Sequence, residues 1–101
     1  MNIKDMEWTA EQVSDLMKVL SSRHRLMILC QLVEGERSVN DLAALLDLRS
    51  TAVSQQLALL RKDRIVQTRR EGQTIYYSLA RADVRQVIEV LYDIYCRHNQ
   101  T

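Results

Sequence analysis

The sequence predicts a mainly α-helical domain carrying one β-hairpin, and three observations predict it. Only two glycines and no proline occur in 101 residues, so chain breakers are scarce. Apolar residues recur at helical spacing in five separate segments. Between the fourth and fifth segments the apolar period changes to two, which suits strands. The length fits one domain spanning residues 1–101, and 47% hydrophobic with 27% charged residues suits a soluble globular chain.

The elements follow in order. Val13, Leu16, Met17 and Leu20 mark a first helix, with Thr9 and Gln12 as its expected capping box. Leu26, Leu29, Cys30 and Val33 mark a second helix, which Gly35 ends. Val39, Leu42, Ala43 and Leu46 mark a third, opened by a box-like pair of Ser38 and Asp41. Val53, Leu57 and Leu60 mark a fourth, with Ser50 placed to cap it. Ile65, Val66 and Thr68 suit one strand, and Ile75, Tyr76, Tyr77 and Leu79 suit another. The polar run Arg70-Glu71-Gly72-Gln73 joins them. A fifth helix carries Val84, Val87, Ile88 and Leu91 and continues to Ile94 and Tyr95. No repeat, linker or low-complexity tract interrupts this order.

The third and fourth helices are short, and Asp47-Leu48-Arg49 alone separates them. That is the spacing of a helix-turn-helix, whose second helix lies in the DNA major groove. The following hairpin, tipped by Arg69 and Arg70, would be a wing beside it, giving a winged helix-turn-helix. Ser50, Thr51, Ser54, Gln55 and Gln56 are the expected base-reading side chains. Arg49, Arg61, Arg69, Arg70 and Gln73 complete the expected DNA contacts, the arginines as phosphate holders. Charge agrees with this placement. The net charge of the whole chain is +1, but residues 49–73 hold six basic and two acidic residues, leaving eight basic and eleven acidic elsewhere. A basic segment on a mildly acidic body points to a localised anionic partner, double-stranded DNA.

The fifth helix holds more apolar surface than one face can use. Val84, Val87, Ile88, Leu91 and Tyr95 are the expected contacts of a two-fold homodimer matched to a palindromic operator. The residues around Met1 lack the basic and apolar regions of a signal peptide. No apolar run reaches the ~20 residues of a membrane helix, so a cytoplasmic protein without a membrane partner is expected. No nucleophile–base set, phosphate loop or catalytic metal motif is visible, which argues against an enzyme.

At these residues the chain resembles the ArsR family of winged-helix repressors over roughly residues 9–97. The stretches that carry the resemblance are Leu20-Ser21-Ser22-Arg23-His24-Arg25-Leu26 and Ser38-Val39-Asn40-Asp41-Leu42. Ser54-Gln55-Gln56-Leu57-Ala58-Leu59-Leu60-Arg61 and Arg69-Arg70-Glu71-Gly72-Gln73-Thr74-Ile75-Tyr76-Tyr77 complete it. Arg23 stands where the family commonly has proline. Many members sense metals through a C-V-C-D-L stretch, but Ser38 and Asn40 stand here in place of both thiolates. The other common metal site uses histidines on the last helix, and here only His98, at its end, is present. Neither set supplies the four ligands, or three and a water, that zinc takes. No metal or other cofactor is therefore expected, and a metal sensor is the least favoured alternative.

Cys30 and Cys96 are the only cysteines. Their contexts, Leu29-Cys30-Gln31-Leu32-Val33-Glu34-Gly35-Glu36 and Tyr92-Asp93-Ile94-Tyr95-Cys96, resemble the family branch that includes BigR, SqrR, YgaV and HlyU. That resemblance implies a redox sensor, in which reactive sulfur species or oxidants link Cys30 to Cys96 by a disulfide or polysulfide and operator binding falls. A direct disulfide needs Cα atoms within about 7 Å, and a polysulfide spans more. Arg97 and His98 flank Cys96 and could favour its thiolate, whereas Cys30 lies on an apolar stripe and is expected to be more buried. Buried structural cysteines are the bland alternative. The main functional alternative is a winged-helix regulator without thiol sensing, for example one that displaces a nucleoid protein. A winged helix used only for protein contacts is a further reading.

Overall fold

The computed structural model of the chain describes residues 1–97. Five helices and three short strands follow one another: α1 (Ile3–Leu20), α2 (Arg23–Glu34), β1 (Arg37–Ser38), α3 (Val39–Leu46), α4 (Ser50–Lys62), β2 (Val66–Glu71), β3 (Thr74–Leu79) and α5 (Ala82–Tyr95). The expected order is thus observed, with β1 added. A two-residue strand has no period for a sequence to show. It is defined by its neighbour, pairing Arg37 with Tyr77 and Ser38 with Tyr76. The antiparallel sheet runs β1-β3-β2, and the β2–β3 hairpin pairs Val66 with Leu79 through to Glu71 with Thr74. Its turn is therefore tighter than the four-residue run expected, and Gly72 at φ 61° supplies the left-handed position.

Caps explain most boundaries. Ser22 accepts a bond from the Arg25 amide at the start of α2, and Gly35 at φ 154° ends that helix. Ser38 and Asp41 form a full capping box, each side chain bonded to the other's backbone N–H at 3.1 Å. Asp47 closes α3 in the left-handed region at φ 53°, turning the chain into α4 within three residues. Two expected caps fall elsewhere. α1 starts at Asn2, whose side chain accepts from the Lys4 amide at 2.9 Å. Thr9 is inside that helix, its hydroxyl donating to the Asp5 carbonyl at 3.1 Å. The first turns of α1 bury no side chain, so no apolar period announced them. At α4 the cap position is Arg49, with Ser50 already helical and no side-chain cap bond.

α2 lies at the centre of the core. Ile28, Leu29 and Leu32 on it are almost wholly inaccessible. They pack in one cluster with Leu16 and Leu20 of α1, Leu42 of α3, Val53, Leu57 and Leu60 of α4, Ile65 and Val66 leading into the wing, and Val84 and Ile88 of α5. Arg25 ties three helices. Its Nε donates to the Val19 carbonyl at 2.8 Å and its Nη1 to Gln56 Oε1 at 3.1 Å. Leu57→Ala removes a fully buried side chain from the helix that follows the turn. A loss of about 2–5 kcal/mol in unfolding free energy is expected, read from the urea midpoint. Val39→Ala, on a half-buried side chain, should cost less.

Candidate nucleic-acid interface and thiol groove

α4 has one face in the core through Val53, Leu57 and Leu60. The opposite face, with Ser50, Thr51, Ser54 and Gln55, is exposed, as are Arg49 before it and Arg61 and Lys62 at its end. Ser54 and Gln73 line one open groove together with Ser38, Asn40 and Thr74, so the helix and the hairpin face the same space. Asn40 and Thr74 were not among the residues expected from sequence. Neither has a local signal, because it is the packing of α3 and β3 beside α4 that brings them there.

Two expected DNA contacts are engaged inside the protein. Gln56 is half-buried and accepts from Arg25, so it braces α2 against α4 and does not project with Ser54 and Gln55. It belongs to a polar run in the sequence, but it falls on the flank of the helix next to Val53 and Leu57. Arg69 is exposed yet already paired. Its Nη2 lies 2.6 Å from Glu36 Oε1, its Nη1 lies 2.9 Å from Glu71, and its guanidinium stacks 4.9 Å from the Tyr76 ring centroid. The Arg69 bond holds the Glu36 carboxyl below its usual range, and the two carboxylates raise the Arg69 pKa in turn. Arg70 is exposed, its Nε donating to the Gly72 carbonyl at 3.1 Å across the turn.

The cysteines occupy facing elements. Cys30 is half-buried on α2, and Cys96 is exposed at the C-terminal cap of α5. Arg85 holds these helices together, donating to the Val33 carbonyl at 2.9 Å. Between α2 and α5 lies an open groove of about 270 Å³, with Cys30, Val33 and Glu34 on one side and Ile88, Glu89, Tyr92, Asp93 and Arg97 on the other. Burial pushes the Cys30 thiol pKa up, and the nearby Cys96 charge adds to the effect. Arg97, expected to favour the Cys96 thiolate, pairs with Asp93 at 3.2 Å. His98, expected to do the same, lies outside the described residues. Among the described residues no group of three or more His, Cys, Asp or Glu could hold a metal ion.

Of the expected dimer contacts, Val84 and Ile88 belong to the protomer's own core, at 0% and 2% exposure. The helical period marked them correctly as apolar but could not say which of two apolar faces they share. Val87 and Leu91 are half-buried, and Tyr95 is exposed. Val90 and Ile94 extend the outward apolar face. No helix among the described residues is long and apolar enough to cross a membrane.

The helix-turn-helix, the polar face of α4 and the hairpin beside it define a winged-helix DNA-binding regulator. Sequence comparison agrees. The chain belongs to the bacterial regulatory protein arsR family, whose profile matches residues 22–68. It is 42% identical over 99% of its length to the transcriptional activator HlyU of Vibrio cholerae, covering 93% of that protein. It superposes on the repressor BigR of Xylella fastidiosa with a TM-score of 0.90, at 44% identity, covering 95% of this chain and 98% of that one. Against reduced HlyU from Vibrio cholerae the TM-score is 0.86, at 41% identity, with 92% and 98% covered. These relatives are transcriptional regulators, not enzymes, and this chain is a transcriptional regulator of the same family.

Two measurements check the site. Because Cys30 is half-buried and its pKa is raised, its thiolate is scarcer at neutral pH than that of an ordinary thiol. Iodoacetamide should therefore alkylate Cys96 first. The raised pKa means that Cys30 labelling climbs only as pH rises beyond the ordinary thiol range of about 8.5. Mass spectrometry of partly alkylated protein reads both sites. On the wing, Glu36→Gln leaves Arg69 with Glu71 alone and frees donors for phosphate. Duplex binding should tighten at low salt, and the slope of log K against log salt should steepen by about one ion. A weaker complex would mean that the ion pair positions the wing.

Proposed function

We propose that this chain is a homodimeric repressor that binds a palindromic operator and releases it when Cys30 and Cys96 are linked by a disulfide or polysulfide. The observation that carries the thiol reading is the shared groove: one cysteine lines it, the other ends the helix that forms its far wall, and the charge of Cys96 is felt at Cys30. Reactive sulfur species or oxidants are the inducers. The thiol reading also draws on relatives, since one of the matched proteins has been described as reduced HlyU. BigR, another, is a repressor, which supports repression here.

DNA contacts in this reading come from Arg49, Ser50, Thr51, Ser54, Gln55, Arg61, Arg70 and Gln73, all exposed. The dimer reading rests on apolar surface that the protomer leaves open: Val90 and Ile94 on α5, and Ile3, Met6 and Trp8 on α1, the last 77% exposed. Exposed apolar area of this kind on two terminal helices is an expected subunit interface.

A second reading has one specific observation behind it. The similar Vibrio cholerae protein is a transcriptional activator, so the same DNA-bound dimer could raise expression by displacing a nucleoid protein. Operator affinity measured on reduced protein and after a persulfide donor decides the thiol switch. Linking should weaken binding by about 5–150-fold, equivalent to about 1–3 kcal/mol. Cys96→Ser should bind as the reduced protein does and fail to respond. Unchanged affinity of the linked wild type would leave a regulator that does not sense through its thiols.

A further inference from the structure

We propose that the groove between α2 and α5 selects its sulfur donor by charge, accepting neutral and cationic low-molecular-weight persulfides and slowing those that carry carboxylates. The inference rests on the thiol-switch reading and concerns which donor reaches the thiols. Three carboxylates, Glu34, Glu89 and Asp93, line the groove beside Cys30. The one cation among its described lining residues is Arg97, whose Nε is 3.2 Å from Asp93 and so is already matched. Glu34 and Glu89 make no ion pair among the described residues. Arg85 is turned to the Val33 carbonyl and is not part of the lining. The groove therefore carries a negative balance, and charges lining one small groove act within the screening length of about 8 Å at physiological salt. Its volume of about 270 Å³ suits a small donor.

Cys96, at the end of α5, lies in sequence between Asp93 and Arg97, both of which line the groove, so a donor attacked by Cys96 meets that lining. The Cys96 thiolate attacks the outer sulfur of a persulfide R–S–S–H. The donor S–S bond breaks, the thiolate RS⁻ leaves with the electron pair, and Cys96 becomes Cys96–S–S–H. The Cys30 thiol then attacks the inner sulfur, the Cys30–Cys96 disulfide forms, and hydrogen sulfide leaves with the Cys30 proton. The two cysteines are oxidised, and the donor is reduced to a thiol and hydrogen sulfide. A donor with several carboxylates brings its negative charge to Glu34 and Glu89 in the first step. One with an ammonium group is drawn in.

The test compares three donors on the full chain: cysteamine persulfide (an ammonium), N-acetylcysteamine persulfide (no further charge) and glutathione persulfide (two carboxylates and an ammonium). The rate of linking is followed by mass spectrometry, and each rate is divided by that of the same donor with a Tyr-Cys-Arg peptide. At low salt the normalised ratio of the cationic to the anionic donor should be about tenfold. It should shrink to within about twofold in the Glu34→Gln, Glu89→Gln double variant, and in wild type at high salt. A ratio near one in wild type, or one that survives the double substitution, overturns the proposal. Linking by all donors at equal normalised rates overturns only this selectivity. Linking by none, the uncharged donor included, overturns the thiol-switch reading and the selectivity with it.

Discussion

The packing of α2 is the constraint on which the rest of the structure depends. This helix touches α1, α3, α4, α5 and β3. Ile28, Leu29 and Leu32 are buried in one close-packed cluster with residues of α1, α3, α4 and α5, so a shift of these helices is felt across the cluster. Polar ties reinforce the same helix at both ends. Arg25 at its start reaches the end of α1 and the flank of α4, and the Val33 carbonyl near its end receives Arg85 from α5. Beyond Gly35, Glu36 holds the wing through Arg69. The helix that reads DNA, the wing and the terminal helix are all referred to one central rod.

The charge pattern makes the same point in another form. The basic segment from Arg49 to Gln73 points to a localised anionic partner, and folding sorts its charges. Arg69 is matched by two carboxylates, whereas Arg49, Arg61 and Arg70 remain exposed. Glu36 carries no signal of this in the sequence, because it lies 33 positions before its partner. Exposed ion pairs contribute little to stability. The Glu36–Arg69 pair matters for how much positive charge the wing presents.

Much of the fold was legible because helical period and capping chemistry agreed. Leu29, Leu42 and Leu57 are buried as their spacing required, and the Ser38–Asp41 box forms as its residues suggested. What was not legible depended on the third dimension. The start of α1 was misplaced because its first turns touch nothing. β1 was invisible because two residues carry no period. Val84 and Ile88 were assigned to a subunit contact because an apolar residue does not record whether it faces its own core or another chain. Gln56 was assigned to DNA because a glutamine does not record whether it faces a base or Arg25. At the thiols, sequence gave two positions on separate helices, while the acidic lining between them, from Glu34, Glu89 and Asp93, emerged only from the packing of α2 on α5.

These features together specify what a link at the groove can do mechanically. Cys30 sits four residues before Glu34 and six before Glu36, on the half of α2 that ends at the wing. Cys96 ends the helix whose outer face is apolar. A bond between them would draw the end of α5 toward a rod that cannot compress, since its other faces are filled by Ile28, Leu29 and Leu32. The motion must then appear at one of the two exposed ends of the system: the apolar face of α5 or the Gly35–Glu36 segment that steers the wing. Either outlet would change DNA binding, in the proposed reading, without moving α4 against its own core. The first alters the spacing between two copies of the reading helix, and the second alters the angle of the hairpin beside it. A two-fold assembly is sensitive to the first because its two reading helices must meet successive major grooves about 34 Å apart. In the thiol-switch reading, the filled core around α2 is what would carry a small covalent change at the groove to a distant face.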